Sequence, residues 1–232
     1  KATEIQTLPG CLAMDTKVSL LDGRELSIHD IEHEMKQGKQ LWTYSCHPEA
    51  GKVVPGLITW AGVTQKSAKV MKLTLDSGET ITCTPDHKFP IKDVGFVRAD
   101  QLKVNDSLIP LYRRHAQIDS NYKNTYEQYY DNESHEWYFT HRKVVEYVQG
   151  LEEFADKRVV HHVDLNRYNN DPSNLKQMGW QEHRKLHSDM GFAYKERMFA
   201  EGRGDEWLQW KKDLGHYVWN SKSDEQKAQL VE

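Results

Sequence analysis

Two sets of side chains in this sequence have the types and spacing to do chemistry. The first is a thiol, Cys11, directly after Gly10, with Thr84 and His87 held three residues apart much further along the chain. A deprotonated thiol is a strong nucleophile, and a nearby imidazole can move the proton that the reaction displaces. The chain has three cysteines, Cys11, Cys46 and Cys83. None is paired at knuckle or redox spacing, so a disulfide framework is not expected and a reducing, cytoplasmic setting fits best. Cys46 and Cys83 read as core or strand residues. The second set is imidazole-rich. Most of the twelve histidines lie between His115 and His187. His183 and His187 are four residues apart, so on a helix they share one face. Beside a strand-borne His161, they can hold a divalent metal.

The elements that must position these groups change character near residue 114. From Lys17 to Tyr112 the sequence reads as short strands: Lys17-Leu20, Leu41-Ser45, Val53-Trp60, Lys69-Leu75, Thr80-Cys83, Phe96-Val97 and Ser107-Leu111. Turn signals at Asp22-Gly23 and Asp76-Ser77-Gly78 separate them. Ser27 is placed to cap one short helix, in which Ile28, Ile31 and Met35 recur at roughly helical spacing. His115 to Glu136 is polar and reads as a linker, and Trp137 to Phe154 as a helix. After Met190 the pattern is mostly helical, with Trp207, Leu208 and Leu214 as an apolar stripe. Ser223 followed by Gln226 resembles a capping box opening a further helix.

With 38 % hydrophobic residues, 232 residues suffice for one large or two small domains. A net charge of -4 argues against a general nucleic-acid coat protein but leaves a DNA enzyme open, since binding follows the local field. No apolar run is long enough to span a membrane, and no membrane partner is expected.

The stretch from Gly10 to Val18 and the stretch from Gly78 to Phe89, with its Thr84-Pro85-Asp86-His87, together resemble the two N-terminal splicing motifs of inteins and Hint domains. The resemblance covers about residues 11-113. It implies a β-rich, horseshoe-like Hint domain in which Cys11 attacks the Gly10 carbonyl in an N-to-S acyl shift. Thr84 would polarise the peptide, and His87 would protonate the departing amide nitrogen. Residues 1-10 would then be the remnant of a host protein, the N-extein.

The stretch from Arg158 through His161-His162, Asn169-Asn170 and Asn174 to Gln181-Glu182-His183 and His187 resembles the HNH nuclease motif. It implies a ββα-metal fold within residues 114-190, followed by a helical extension over 191-232, so that the whole chain is α+β. On this resemblance His161 and His183 would be metal ligands and His187 a third. His162 would be the general base, oriented by Asn174 through its backbone or side-chain amide, while Asn170 would pin the loop and not touch the metal. The metal would be magnesium, manganese or zinc, and the partner double-stranded DNA at the host gene's insertion site. Arg142, Lys143, Lys157, Arg158, Arg184, Lys185, Lys195 and Arg197 are candidates for phosphate contact, or else ordinary surface charges. No terminal His-Asn pair followed by Cys, Ser or Thr is found, so the chain alone is expected to perform only the first splicing step. A truncated product, the N-part of a split intein awaiting its C-terminal part, and a degenerate element all fit, with the unfinished helix at Ser223-Glu232 favouring truncation. Two other functions stay open: a stand-alone HNH endonuclease with a β-rich binding module, and a non-splicing autoprocessing Hint protein.

Overall fold

The computed structural model describes residues 10–47, 52–92, 94–117, 125–151 and 158–220. The expectations for residues 1-9, Lys157 and Ser223-Glu232 lie outside them.

The first half is a succession of antiparallel hairpins. Strand β1 (Lys17–Ser19) pairs with β2 (Glu25–Ser27), and helix α1 (Ile28–Lys36) follows at once. Ser27 caps that helix: its hydroxyl accepts the Asp30 backbone N–H at 3.1 Å, and the Asp30 carboxylate accepts the Ser27 N–H at 3.3 Å. This reciprocal pairing satisfies two otherwise orphaned groups. Then come β3 (Trp42–Cys46) with β4 (Val53–Leu57), β5 (Met71–Thr74) with β6 (Thr80–Cys83), and β7 (Lys88–Ile91) with β8 (Gly95–Arg98). The period of two in β5 turns Met71 and Leu73 towards one core, with Cys83, Phe89, Ile91 and Ala99. A second core gathers Leu20, Ile31 and Leu41.

Four expectations are corrected here. The polar stretch from His115 to Glu136 is not a simple linker. It contributes to a three-stranded antiparallel sheet of β9 (Arg113–Gln117), β10 (Thr125–Asp131) and β11 (Glu136–Phe139). The expected helix from Trp137 is a strand first, and α2 spans only Thr140–Gln149. Gly150, at φ 66°, ends it in the left-handed conformation that glycine adopts without strain. The segment Ser107-Leu111 forms a single bridge, Leu108 to Ile91, instead of a strand. Val53-Trp60 is strand only as far as Leu57, where the partner strand runs out at Trp42.

Beyond α2, strands β12 (Arg158–His162) and β13 (Leu175–Gly179) form an antiparallel hairpin that leads into the long helix α3 (Trp180–Ala200). Because α3 is continuous through Met190, the boundary drawn at residue 190 falls inside a helix. Helix α4 (Gly204–Asn220) packs against α3.

Candidate functional sites

Cys11 and His87 belong to segments 73 residues or more apart, and the strand framework brings them together. A bridge pairs Leu12 with Cys83 at the end of β6. The next residue, Thr84, is locked to Cys11 from both sides. Its backbone N–H donates to the Cys11 carbonyl at 2.8 Å, and the Cys11 backbone N–H donates to Thr84 Oγ1 at 2.8 Å. Thr84 is therefore bonded to the nitrogen of the Gly10–Cys11 peptide. His87 meets that peptide at Gly10. Its N–H reaches back to the Thr84 carbonyl at 3.1 Å, closing the Thr-Pro-Asp-His turn. Gly10 lies so close that a Cβ there would come within 2.4 Å of the His87 Cα, and its φ of 132° is a conformation that L side chains rarely adopt. Only glycine fits. Burial lowers the pKa of His87, while a hydrogen bond to the Gly10 backbone raises it in part. The imidazole is thus neutral at neutral pH, able to give or take a proton. The Cys11 Sγ lies 2.7 Å from the Thr64 hydroxyl, a partner that the motif pattern does not indicate. Cys46 and Cys83 are free thiols in strands, and burial pushes both thiols up.

The chain matches the family model described as "Intein splicing domain" over residues 18–202. It belongs to the intein splicing domain family. Autocatalytic protein splicing is the chemistry of that family. The DNA gyrase B protein of Synechocystis sp. is 38 % identical over 182 residues, which cover 77 % of this chain and 17 % of that protein. Elongation factor 2 of Methanopyrus kandleri is 27 % identical over 121 residues, covering 43 % of this chain and 9 % of that protein. The chain thus spans less than a fifth of the length of either curated relative. Among solved structures, a DnaB intein from Synechocystis sp. PCC 6803 is similar at 26 % identity, with a TM-score of 0.38, over 43 % of this chain and 67 % of the other.

The intein's second constellation sits on the β12–β13 hairpin and α3. His161 is buried in β12, and α3 presents His183 and His187 from adjacent turns. Ligand nitrogens of the three lie within 4.8 Å of one another. The Nε2 atoms of His183 and His187 are 3.1 Å apart. Two nitrogens of a tetrahedral site with bonds of about 2.0–2.1 Å are about 3.3 Å apart, so the His183–His187 pair is spaced as two ligands of one ion would be, and the three side chains could hold a divalent metal. Burial lowers the pKa of both His161 and His183, and the neighbouring imidazoles add to the effect. That keeps them in the neutral form that binds metal.

His162 points to the opposite side of β12, as the strand period demands. It is buried against Tyr126 and His141, with ring centroids 5.9 and 5.4 Å away. Its Nε2 is 3.4 Å from the side-chain oxygen of Asn170. Asn170, and not Asn174, is therefore the side chain bonded to His162. Asn174 instead ties the following loop: its amide donates to Asp164 at 2.8 Å and to the Asn169 carbonyl at 2.9 Å, and its own backbone carbonyl accepts the Val163 N–H at 2.9 Å. Burial lowers the pKa of His162, although the Asn170 hydrogen bond raises it in part.

Several of the candidate phosphate contacts have partners within the chain. Lys143 pairs with Glu146 and Lys185 with Asp189, both at 2.7 Å. Lys195 lies over the Phe199 and Trp207 rings.

Proposed function

We propose that this chain is the endonuclease-bearing part of a mobile intein, which performs the N-to-S acyl shift at Gly10–Cys11 and cuts DNA with the β12–β13–α3 unit. The first activity rests above all on Thr84 Oγ1 at 2.8 Å from the nitrogen of the peptide to be cleaved. The Cys11 Sγ attacks the Gly10 carbonyl carbon, the C–N bond breaks, and the amide nitrogen leaves as the amine of Cys11 with the proton it gains. The product is a Gly10–Cys11 thioester. Thr84 holds the peptide in register for attack, and His87 moves the proton. The Gly10 cradle keeps the attacked carbonyl free of side-chain bulk.

The test is thiol-induced release of residues 1–10. Intact mass after incubation with excess thiol should show a loss of that segment from the wild type and none from Cys11→Ala. Equal behaviour of the two would remove the acyl-shift reading. Thr84→Val should slow release about tenfold or more, because the scissile amide loses its partner in a half-buried site.

The nuclease reading carries the HNH fold and its metal as a proposal of its own, supported by the His161–His183–His187 cluster. These three residues would hold the ion. A divalent ion bound there supplies charge stabilisation to the pentavalent phosphate and to the leaving 3′ oxygen. His162 takes a proton from the attacking water. Host exteins and double-stranded DNA at the uninterrupted insertion site are the partners. Since the relative that matches 77 % of the chain is a DNA gyrase B protein, the uninterrupted coding sequence of gyrase B is the first substrate to try. Cleavage should need added divalent metal and should vanish in His162→Ala. Equal cutting by wild type and variant would exclude His162 as the base. Calorimetric titration with zinc should show one tight site in the wild type, weakened at least tenfold in His183→Ala.

A further inference from the structure

We propose that Thr64 is a catalytic residue of the acyl shift, its hydroxyl donating a hydrogen bond to the Cys11 sulfur as that sulfur gives up its proton; this rests on the acyl-shift reading above.

The contact is made at the nucleophilic atom itself, with Cys11 Sγ and Thr64 Oγ1 2.7 Å apart. Thr64 lies in the loop between β4 and β5 and belongs to neither of the two stretches that carry the splicing resemblance. The fold holds both ends of this contact. The Cys11 backbone is bonded to Thr84 through its N–H and through its carbonyl. Just before Thr64, Ile58 and Ala61 pack on the core of Leu20, Ile31 and Leu41. The Ile58 N–H also donates to the Leu41 carbonyl at 2.9 Å. Trp60 lies against Gly62 so closely that a Cβ there would stand 2.9 Å from its ring. After the loop, Met71 packs on the other core, with Cys83, Phe89, Ile91 and Ala99. The two side chains therefore meet because their backbones are fixed.

The chemistry of the two groups gives the contact a direction. In the resting thiol either atom can donate. A thiolate has no hydrogen to give, so once the proton has left, the hydroxyl is the donor. Among the described residues the Thr64 side chain has no other hydrogen-bond partner, which leaves its O–H to the sulfur. Bonds to an ionised group are the stronger kind, so the contact tightens as negative charge gathers on Sγ. The balance of the step is unchanged. The S–C bond forms, the C–N bond breaks, and the proton lost by Sγ is matched by the one the leaving nitrogen gains. Thr64 keeps its own proton.

A hydrogen bond to a charged group is worth a factor of about ten or more. Part of this is offset, because a sulfur that accepts such a bond is the weaker nucleophile. Removing the hydroxyl should therefore slow attack by the sulfur about threefold near neutral pH.

Thr64→Val keeps the shape of the side chain and removes the hydroxyl, whereas Thr64→Ser keeps the hydroxyl and removes the methyl. Thr64 is exposed, so neither change opens a core. In saturating thiol, release of residues 1–10 from the full chain should slow about threefold in Thr64→Val and hold the wild-type rate in Thr64→Ser. A loop held by packing of the methyl would give the reverse order. Alkylation by iodoacetamide reads the sulfur without any acyl shift, with Cys46 as the reference thiol in the same chain. Peptide masses should show Cys11 alone slowed about threefold in Thr64→Val near neutral pH. At strongly alkaline pH, where the sulfur is ionised with or without a donor, the order should reverse. Unchanged release and alkylation in Thr64→Val overturn the proposal, as does a deficit that persists at alkaline pH. Faster release in Thr64→Val, or a Thr64→Ser as slow as Thr64→Val, also overturns it. If the wild type releases nothing, the acyl-shift reading fails by itself, and alkylation still decides whether the hydroxyl serves the sulfur.

Discussion

His141 is a buried imidazole whose titration should contribute to the loss of stability in acid. It opens α2 and packs between Tyr126 and Phe139, with ring centroids 4.9 and 5.7 Å away. Its Nδ1 is buried without a hydrogen-bond partner. Burial, reinforced by the neighbouring charges of His162 and Arg142, lowers its pKa to about 3. The unfolded chain takes up a proton near pH 6.5, and the folded chain does not until about pH 3. Between those limits the unfolded state binds more protons, so stability falls as pH falls, by up to about 1.4 kcal/mol per pH unit from this one group. Urea denaturation from about pH 7 to about pH 4 should show that slope, and His141→Phe should reduce it by about one proton. A parallel pH dependence in the variant would assign the acid loss to other groups. His141 carries no motif, and only the folded packing marks it out. The same holds for Glu127 and for Thr64 beside the Cys11 thiol. The positions of Cys11, Thr84, His87 and the α3 histidines are legible because their spacing along the chain mirrors the chemistry that each set can do.

At the scale of elements, legibility follows the local pattern. The Ser27 cap and the β5–β6 hairpin are readable, since turn residues and alternation lie within a few positions of one another. The β9–β10–β11 sheet is not. Its central strand buries Glu127, Gln128 and Asp131 along with Tyr129. Buried polar residues erase the apolar alternation, and Glu127 and Gln128 find their partners on other strands, as Gln128 shows by accepting Arg114 at 2.9 Å. The contact between Asn170 and His162 is illegible for a related reason: only the loop geometry brings that side chain to the ring, while Asn174 braces the backbone that follows His162 at Val163 and Asp164. Ser27→Ala should cost about 1 kcal/mol in urea denaturation, since the hydroxyl that accepts the Asp30 N–H at 3.1 Å is lost. Asp30→Ala should remove one arm only and cost less. An equal or larger loss in Asp30→Ala would show that the carboxylate does more than cap.

At the scale of the whole molecule, the splicing half and the histidine-bearing half meet at the β1–β2 turn, and one glycine there sets how closely. Gly23 has φ 88°, and a Cβ on it would stand 2.9 Å from the Tyr168 carbonyl in the loop after β12. Tyr168 also meets His115 of β9 edge-on, at 4.8 Å between ring centroids. Two residues on, the Asn170 N–H is bonded to Leu21 of the same turn. Gly38 offers an internal control, because its φ of 84° is nearly the same but nothing lies within 4 Å of its would-be Cβ. Gly38→Ala should therefore show backbone strain alone, about 1 kcal/mol. Gly23→Ala should show that strain plus the displacement of the loop, for a total of roughly 2–3 kcal/mol. Hydrogen exchange distinguishes the two. The Asn170 amide should exchange faster in Gly23→Ala and keep its protection in Gly38→Ala. If both variants lose equal stability and Asn170 stays protected in each, the turn does not bind the two halves together.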